Sequence, residues 1–302
     1  MYDIIVVGGG PAGMTAALYA QRNGKSALVI EKAGFGGQIT HSPKVENFPG
    51  SLSISGNELA DKLFSQILEQ GAEFEIETVC AIEDNGATKT VKTEEGGAYE
   101  CKAVVIATGV KHRMLGIEGE QELVGEGISF CAVCDGDFYK GKTVCVAGGG
   151  NSALQEAILL SDKCSRVIML QDLPNFTGEE KLQQVLFARD NVVKYTGVKI
   201  TGLITKDSEL AGVEIEKDGE KEAVKCDGLF VAIGLIPENE PFKDLADLNS
   251  FGYFDSGEEC TTKTPGIFVA GDCRSKFTRQ VTTAAADGTI AALAACRYIN
   301  EL

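Results

Sequence analysis

Residues 3–31 read DIIVVGGGPAGMTAALYAQRNGKSALVIE, and this stretch decides the fold. An apolar, β-branched run is broken by glycines, an Ala-rich segment follows, and a second apolar run ends in an acid. This order predicts a βαβ unit of a parallel sheet. The glycines match G-x-G-x-x-G: Gly8 permits the tight turn, Gly10 lets the backbone approach a pyrophosphate, and Gly13 lets helix and strand pack closely. With Glu31 as an acceptor for ribose hydroxyls, the stretch predicts a nucleotide site.

A second nucleotide-type unit follows at residues 143–170, where GGGNSA at 148–153 separates two apolar runs. Gly148, Gly150 and Ala153 match a slightly relaxed form of the same fingerprint. The second strand ends in Gln171-Asp172-Leu173, and no arginine lies between positions 166 and 189. An acid suits a ribose diol and repels a 2′-phosphate, so a nicotinamide nucleotide bound here would be NADH rather than NADPH. An inherited but unused site is the alternative.

The material after each unit is also repeated. Alternating polar segments at 79–100 and 198–226 predict antiparallel meanders, and each runs into an apolar strand closed by glycine. A last strand and helix within 266–299 are expected to rejoin the first sheet. We therefore predict an α/β protein with two Rossmann-like, three-layer ββα nucleotide-binding domains, the second inserted into the first. The predicted boundaries are 1–114 and 242–302 for the first domain and 115–241 for the insert.

Charge and composition argue against some classes of function. The chain has 302 residues, of which 28 are basic and 44 acidic, for a formal net charge of −16. That sign argues against a general binder of nucleic-acid backbones or anionic membranes. The sequence has no run of about 18 apolar residues, which a membrane span would need. Its first residues also lack the basic region of a signal peptide. We therefore expect a cytoplasmic protein.

One pair among the ten cysteines is close in sequence, in Cys131-Ala132-Val133-Cys134. Two sulfurs at this spacing can close a small disulfide loop, which predicts redox chemistry in a reducing compartment. Zinc would need about four ligands, and the chain has two histidines and no second C-x-x-C. Zinc and inert buried thiols stay as alternatives, with no metal site expected. Asp135 is a candidate proton donor and acceptor for the thiolates, or a turn residue before Gly136.

A further feature joins the end of the last predicted strand to the last helix. Gly271-Asp272 closes the strand, and Arg279-Gln280-Val281 opens the helix. An acid after a strand can hold a ribityl hydroxyl, and a helix N-terminus can face an isoalloxazine carbonyl. A plain turn or helix cap is the alternative interpretation of Asp272.

Together these motifs resemble the low-molecular-weight thioredoxin reductase family. The resemblance covers nearly the whole chain, and the order and spacing of its motifs are far more specific than any one of them. The matching motifs are GGGPAG at 8–13, GGQ at 36–38, VENFPG at 45–50, ATG at 107–109, CAVCDG at 131–136, GGGNSA at 148–153, FVAIG at 230–234, GIFVAGD at 266–272 and RQV at 279–281.

The resemblance implies FAD as the cofactor and a homodimer as the assembly. It implies that Cys134 faces the flavin, that Cys131 attacks the disulfide of the protein substrate thioredoxin, and that Asp135 handles protons. The FAD-binding residues that it implies, with the glycine turn included, are Gly8, Gly10, Pro11, Ala12, Gly13, Glu31, Lys32, Gly37, Gln38, Asn47, Val79, Thr108, Gly109, Gly271, Asp272, Arg279, Gln280 and Val281.

The second nucleotide unit departs from the NADPH-using members of that family. Those members have a His-Arg-Arg type segment followed by another Arg around the 2′-phosphate, whereas this chain has Gln171-Asp172-Leu173 there and Gly178 at the later position. Each lost charge-assisted hydrogen bond is worth roughly 1.5–3 kcal/mol. The pattern resembles the ferredoxin-dependent flavin thioredoxin reductases, which keep FAD and the Cys pair.

The sequence thus predicts a flavoprotein that passes electrons from ferredoxin through FAD and the Cys131–Cys134 disulfide to thioredoxin. The alternatives are an NADH- or NADPH-dependent disulfide reductase, a flavin-dependent dithiol oxidase, and a non-catalytic redox sensor. The net charge opposes ferredoxin, which is usually acidic, unless basic residues gather locally. The candidate groups are Lys111, His112 and Arg113, and Arg274, Lys276 and Arg279. Ordinary solvated runs are the alternative for both.

Overall fold

A computed structural model describes residues 1–42 and 44–302, which divide into two units. Unit 1 contains residues 1–111 and 236–302, and unit 2 contains residues 112–235. The two boundaries lie a few residues before those expected from the sequence. Unit 2 is thus an insertion in the sequence of unit 1.

The helices and strands follow the chain in three blocks. Before the insertion lie β1 (Tyr2–Val7), α1 (Pro11–Arg22), β2 (Ala27–Glu31), α2 (Gly56–Glu69), β3 (Glu73–Ile76), β4 (Val79–Asp84), β5 (Lys89–Thr93), β6 (Ala98–Ile106) and β7 (Val110–His112). The next block contains β8 (Ile128–Ser129), α3 (Ala132–Asp135), β9 (Thr143–Ala147), α4 (Asn151–Ser161), β10 (Arg166–Gln171), α5 (Glu180–Phe187), β11 (Val192–Thr196), β12 (Lys199–Lys206), β13 (Glu209–Lys217), β14 (Glu220–Lys225) and β15 (Gly228–Val231). The last block contains β16 (Leu235–Pro237), β17 (Ile267–Val269) and α6 (Val281–Glu301).

Unit 1 is built on a seven-stranded sheet in the order β3-β2-β1-β6-β5-β4, with β17 also paired to β6. Strands β1, β2, β3, β6 and β17 pair in parallel, and β4, β5 and the first half of β6 form an antiparallel meander. Strand β6 therefore belongs to both parts. The carboxyl ends of the parallel strands meet at one edge, which is where ligands bind in open α/β sheets.

Alternation along β1 explains the three layers of unit 1. Ile4 and Val6 pack in one core with the Ala-rich helices α1 and α6, whereas Ile5 and Val7 pack in a second core with residues of the meander. Successive strand side chains point to opposite faces, so a run that is apolar on every residue needs cover on both sides. The helices cover one face and the meander covers the other.

Helices α1 and α6 pack closely because their facing residues are small. The cluster between helices and sheet includes Ala16, Ala20, Ala291 and Ala295, all fully buried. A side chain at Gly288 would collide with the backbone of Ala12, whose carbonyl carbon would lie 3.0 Å from the added Cβ. The Ala and Gly content of the two helices thus brings α6 against the first turn of α1.

Unit 2 repeats this arrangement. Its five-stranded parallel sheet has the order β11-β10-β9-β15-β8, and β12, β13 and β14 form a three-stranded antiparallel meander. Val144 and Val146 of β9 pack with α4, and Cys145 and Ala147 pack with the meander. Both units therefore have the predicted α/β, three-layer ββα architecture, which confirms the predicted fold class. In the described part of the chain, no helix combines the length and the apolar character needed to cross a membrane.

Candidate functional site

The first glycine turn follows β1 and opens α1. Gly8 has φ +108°, and a Cβ there would lie 2.8 Å from the carbonyl carbon of Ala107 and closer to its oxygen. A Cβ at Gly13 would lie 3.0 Å from the carbonyl carbon of Gly8, so the helix passes directly over the turn. A Cβ at Gly10, by contrast, would have no atom of the described residues within 4 Å. The turn is therefore tight on the protein side and open at the residue predicted to approach a pyrophosphate.

Helix α1 presents its N-terminus at this open side. Gly10 is the N-cap and contributes no side-chain hydrogen bond, Pro11 follows as the first helical residue, and the first turn has no acidic side chain. The unpaired N–H groups and the positive end of the helix dipole favour an anion. Pro11 and Ala12, two of the predicted FAD-binding residues, thus lie at a helix N-terminus that favours an anion.

Glu31 lies at the glycine turn, as its position at the end of β2 predicts. Its carboxylate accepts hydrogen bonds from the N–H of Gly9 at 2.6 Å and from the N–H of Ala33 at 3.0 Å. Lys32, the next residue, forms an ion pair with Glu238, which also pairs with Lys111 at 2.7 Å. The backbone therefore fixes the acid beside the turn, and the neighbouring lysine faces another acid.

Asp272 has an unsatisfied carboxylate oxygen. Its Oδ1 is buried and accepts no hydrogen bond from the described residues. Lys276 Nζ forms an ion pair with this oxygen at 4.0 Å, and the side chain as a whole is 28% exposed. Burial raises the pKa of Asp272 to about 6, against the opposing effect of Lys276 and Arg279. Asp272 lies within the short 3-10 helix Gly271–Cys273, whose N-cap is Ala270. An unsatisfied acceptor at a strand end fits a hydroxyl donor such as the ribityl chain of FAD.

Gly271 connects this acid to the glycine turn. It has φ +82°, and a Cβ there would lie 2.8 Å from the Cβ of Ala12 in the first turn of α1. Two motifs that are about 260 positions apart in the sequence therefore meet at one edge of the sheet of unit 1.

A buried ion-pair group supports the same loop. Asp287 of α6 accepts from the N–H of Gly271 at 3.1 Å, from the Arg274 guanidinium at 2.9 Å and from Lys276 Nζ at 2.9 Å. The side chains of Arg274, Lys276 and Asp287 are 9%, 11% and 8% exposed. Because Arg274 and Lys276 are buried against Asp287, these two residues do not form the exposed basic patch considered from the sequence.

The residues that open α6 meet a second predicted segment. Gln280 is the N-cap of α6 and forms a reciprocal capping box with Thr283. The amide of Asn47 donates to Gln280 Oε1 at 3.2 Å. The guanidinium of Arg279 lies over the ring of Tyr253 at 4.3 Å, and Val281 begins the helix. The structure thus brings Asn47 to the start of α6.

The remaining predicted residues of unit 1 are placed as follows. Gly37 lies at the glycine turn, since a Cβ there would be 3.4 Å from Gly10 Cα. The Thr108 hydroxyl donates to Asn239 at 3.3 Å, and Gly109 has φ +66°. Gln38 is exposed, and Val79 begins the meander, paired with Thr93. Within residues 1–42 and 44–302, no side-chain hydrogen bond joins Gln38 to the other predicted residues.

In unit 2, Cys131 and Cys134 form a disulfide at the start of α3, with their Cα atoms 5.3 Å apart. Cys131 is the N-cap of this short helix, and its sulfur accepts from the N–H of Cys134 at 3.2 Å. Both cysteines are partly exposed. The eight other cysteines are free, and all except Cys80 are buried.

Asp135 is buried beside this pair. Its Oδ2 accepts from the Ser129 hydroxyl at 2.6 Å, and Oδ1 is buried without a partner in the part of the chain that the structure describes. The same Ser129 oxygen accepts from the N–H of Cys131 at 3.1 Å. Burial raises the pKa of Asp135, and the Ser129 hydrogen bond opposes the rise. The carboxyl is thus held next to the cysteine turn in an environment that favours its protonated form.

The second glycine turn is covered by the segment that follows β10. The N–H groups of Thr177 and Gly178 both donate to Gly149 O at 2.9 Å. Asn151, the first residue of α4, donates from Nδ2 to Glu179 Oε1 at 2.9 Å and accepts from Glu179 N at 2.7 Å. Asp172 at the strand end is exposed. A carboxylate therefore lies at the helix N-terminus that would otherwise attract a pyrophosphate.

Sequence reasoning missed several of these residues. Ser129, Asn239 and Asp287 belong to none of the sequence motifs. Ser129 bonds to Asp135 six positions later, Asn239 bonds to Thr108, and Asp287 bonds to Arg274. The signal for Asp287 is weak but real, since it is a lone acid on the apolar face of an Ala-rich helix. In the described residues, no group of three or more His, Cys, Asp or Glu side chains is arranged to hold a metal ion.

The chain is similar along its length to known proteins. The family described as pyridine nucleotide-disulphide oxidoreductase matches residues 2–288. The thioredoxin reductase of Bacillus subtilis (strain 168) is 38% identical over 304 residues, covering 100% of this chain and 96% of that protein. A Clostridium pasteurianum protein named "34.2 kDa protein in rubredoxin operon" is 40% identical over 303 residues, covering 99% and 97%. The structure of thioredoxin reductase from Streptococcus pyogenes MGAS5005 matches with TM-score 0.94 and 38% identity, covering 100% of this chain and 99% of that one.

Proposed function

We propose, from the premise that the chain belongs to the pyridine nucleotide-disulphide oxidoreductase family, that it reduces thioredoxin with electrons taken from ferredoxin. The protein is an FAD-dependent disulfide oxidoreductase. Its relatives named thioredoxin reductase support thioredoxin as the substrate. Bound FAD supplies a centre that can be reduced by single electrons and can pass a pair to a disulfide.

The FAD site of this proposal lies in unit 1. The open side of Gly10 and the first turn of α1 hold the pyrophosphate, and Glu31 takes ribose hydroxyls. Asp272 accepts from the ribityl chain, and the start of α6 at Gln280 and Val281 faces the ring system. The buried, unsatisfied oxygen of Asp272 carries this assignment, because buried polar atoms in native proteins normally have a partner.

The dithiol step of this proposal takes place in unit 2. A thiolate of Cys131 attacks the disulfide of thioredoxin, which breaks that bond and leaves a mixed disulfide and one released thiolate. The Cys134 thiolate then attacks Cys131, which releases the second substrate sulfur and restores the Cys131–Cys134 disulfide. Asp135, held by Ser129 at 2.6 Å, accepts and returns the thiol protons.

The choice of ferredoxin rests on the second glycine turn. The exposed Asp172 would repel a 2′-phosphate, and the Glu179 carboxylate, bonded to Asn151 at 2.9 Å, would repel a pyrophosphate at the start of α4. Both features weaken a pyridine nucleotide as donor. The rubredoxin operon in the name of the Clostridium pasteurianum relative is consistent with a one-electron carrier protein as the donor.

NADH is the second candidate donor. The tight turn at Gly148, with φ +124°, is intact. A Cβ added at Gly150 would have only one atom of the described residues within 4 Å, Thr177 Oγ1 at 3.9 Å. An acid at the strand end suits a ribose diol. Arg274 and Lys276 are also buried against Asp287, so they expose little positive charge to an acidic ferredoxin.

Anaerobic stopped-flow measurement on the purified yellow protein separates these donors. NADH, NADPH and reduced ferredoxin are offered in turn, and flavin absorbance is followed. We expect reduced ferredoxin to bleach the flavin rapidly, and we expect neither NADH nor NADPH to do so. Rapid bleaching by either nicotinamide nucleotide would refute ferredoxin as the required donor.

The assembly and compartment belong to the same proposal. Family resemblance supports a homodimer, and the cytoplasmic compartment is the one expected from the sequence. Light scattering after size exclusion should give twice the mass of one chain, and a monomer at micromolar concentration would contradict the assembly.

A further inference from the structure

Asp287 has two cationic partners, and its single charge balances only one of them. Its Oδ1 accepts from the Arg274 guanidinium at 2.9 Å, and its Oδ2 accepts from Lys276 Nζ at 2.9 Å. The side chains of both cations are no more than 11% exposed. Buried charges are costly unless they are paired. A second carboxylate beside these two cations would therefore balance the charge of the group.

Arg274 has its whole guanidinium bonded to other groups. Its Nε donates to Ser256 Oγ at 2.9 Å, and its Nη2 donates to the carbonyl oxygens of Ser256 at 3.2 Å and Gly257 at 2.6 Å. Since Nη1 donates to Asp287, each of the three guanidinium nitrogens has a partner. Lys276 is therefore the cation of this group that is left to meet a second acid.

That second acid is Asp272. Lys276 Nζ lies 4.0 Å from Asp272 Oδ1, the buried oxygen that accepts no hydrogen bond from the described residues. Asp287 fixes both sides of this pair, because its Oδ2 also accepts from the N–H of Gly271, the residue before Asp272, at 3.1 Å. An ammonium group at this distance favours the ionised form of a carboxyl.

Other groups face Asp272 from the elements packed around it. Burial raises the pKa of Asp272 to about 6, and Lys276 opposes that rise more strongly than Arg279 does. Arg279 Nε also donates to the carbonyl oxygen of Asp272 at 3.4 Å. The first turn of α1, which lies beside this loop at Ala12, has no acidic side chain. The neighbours that add no positive charge are Tyr253 and Cys273, whose pKa values are raised mainly by burial, and the acid Asp287.

We propose that Lys276 is a positioning residue for FAD: held by Asp287, it keeps a positive charge beside Asp272, so that Asp272 meets the ribityl chain as a carboxylate. The proposal rests on the contact between Asp272 and FAD in the proposed function. An ionised carboxylate accepts stronger hydrogen bonds than a neutral carboxyl does. Lys276 thus acts on the cofactor through Asp272 and sets the pH range in which FAD binds tightly.

The test compares the FAD affinity of Lys276→Gln apoprotein with that of the wild type from pH 5 to pH 9, by fluorescence titration. Wild-type affinity should decrease as the pH falls through about 6. Because an opposite charge at this distance lowers the pKa of an aspartate by roughly 1–3, the midpoint of the variant should lie between roughly pH 7 and pH 9. A variant with the wild-type midpoint would overturn the proposal.

Two control variants test whether the charge at position 276 is responsible. Lys276→Arg keeps the charge and should keep the wild-type midpoint. An arginine variant with the midpoint of Lys276→Gln would refute the role of the charge. Lys263→Gln is the matched control, since Lys263 also pairs with an acid of unit 1, Asp247, at 2.9 Å, but has a side chain that is 44% exposed. A midpoint that moved equally in Lys263→Gln would attribute the effect to the net charge of the protein and would overturn the proposal.

Asp272→Asn separates this proposal from the proposed function. In that background Lys276→Gln should leave the pH dependence unchanged, because no carboxyl remains for the lysine to act on. If Asp272→Asn binds FAD as tightly as the wild type does, the contact between Asp272 and FAD fails. If Asp272→Asn binds FAD more weakly while Lys276→Gln keeps the wild-type midpoint, only the role of Lys276 fails.

A further measurement needs no variant at position 276. Calorimetry in buffers of different ionisation enthalpy counts the protons that the wild-type apoprotein releases when it binds FAD. At pH 5.5 the protein should release most of one proton, because Asp272 is largely protonated before binding and ionised after it. At pH 8 it should release none, and Asp272→Asn should release none at either pH. If the wild type released no proton at pH 5.5, Asp272 would not meet FAD as a carboxylate, and the proposal would be wrong.

Discussion

The hydroxyl of Ser129 donates to the carboxylate of Asp135 at 2.6 Å, and the same oxygen accepts from the N–H of Cys131 at 3.1 Å. One serine therefore fixes the distance between a buried acid and the cysteine turn. Burial favours the neutral form of Asp135, and the Ser129 hydrogen bond favours the ionised form.

Replacing Ser129 by alanine should raise the pKa of Asp135 further, because the hydrogen bond that opposes burial is lost. If ionised Asp135 accepts a thiol proton, the acid limb of the pH–rate profile for thioredoxin reduction moves to higher pH. Ser165→Ala, which removes a hydroxyl bonded to Lys142 O at 3.0 Å in the same unit, is the matched control. An acid limb that stays in place would exclude Asp135 as the group that titrates.

Cys134→Ser should abolish thioredoxin reduction, because the mixed disulfide can no longer be resolved. The variant should still bind FAD, and its flavin should still be reduced by dithionite. The control is Cys80→Ser, which changes the exposed free cysteine of unit 1. Turnover that survives in Cys134→Ser would contradict the assigned role.

Asp272→Asn should weaken FAD binding by about 10- to 100-fold, since a hydrogen bond to a charged acceptor is worth roughly 1.5–3 kcal/mol. The pKa of Asp272 is raised to about 6, so the wild-type carboxylate is lost as the pH falls through about 6. The affinity of the wild type for FAD should therefore decrease from pH 7 to pH 5, whereas the affinity of the variant should not change. Fluorescence titration of each apoprotein with FAD measures these affinities. Equal affinity of the two proteins at pH 7.5 would show that Asp272 does not contact the cofactor.

Gly8→Ala should lower the free energy of unfolding by roughly 2–4 kcal/mol, because the left-handed backbone and the overlap with Ala107 both oppose a side chain. Gly86→Ala is the matched control, since Gly86 has φ +81° but open space. Gly86→Ala should lower the free energy of unfolding by about 1–2 kcal/mol. Urea unfolding followed by circular dichroism compares the two variants. Equal decreases in the free energy of unfolding would mean that close packing at Gly8 does not oppose a side chain.

Asp172→Arg combined with Glu179→Gln should give measurable flavin reduction by NADPH. The first change adds a partner for a 2′-phosphate, and the second removes the negative charge at the start of α4. Stopped-flow absorbance at equal NADPH concentrations compares the variant with the wild type. A wild type that already reacts with NADPH would refute the unused nucleotide site.

Local motifs are predicted well because their causes are local. The positive φ values of Gly8 and Gly148 and the alternation along β1 and β9 depend on a few neighbouring residues. The boundaries of the elements are less accurate. The sequence predicts helix α6 from about Arg279, but the helix begins at Val281, because Gln280 is extended and caps the helix through Thr283. Strand β6 begins at Ala98 rather than near position 103, since its first half continues the meander.

By itself, the sequence determined two glycine turns with their strands and helices and a close cysteine pair, and it predicted an inserted second unit, because short-range backbone geometry and residue spacing specify these features. Only the tertiary structure decided which charges are buried and which group each one meets. Asp287 holds Arg274 and Lys276, and Ser129 holds Asp135. Burial and pairing depend on elements that other parts of the chain supply, and no motif within one segment records them.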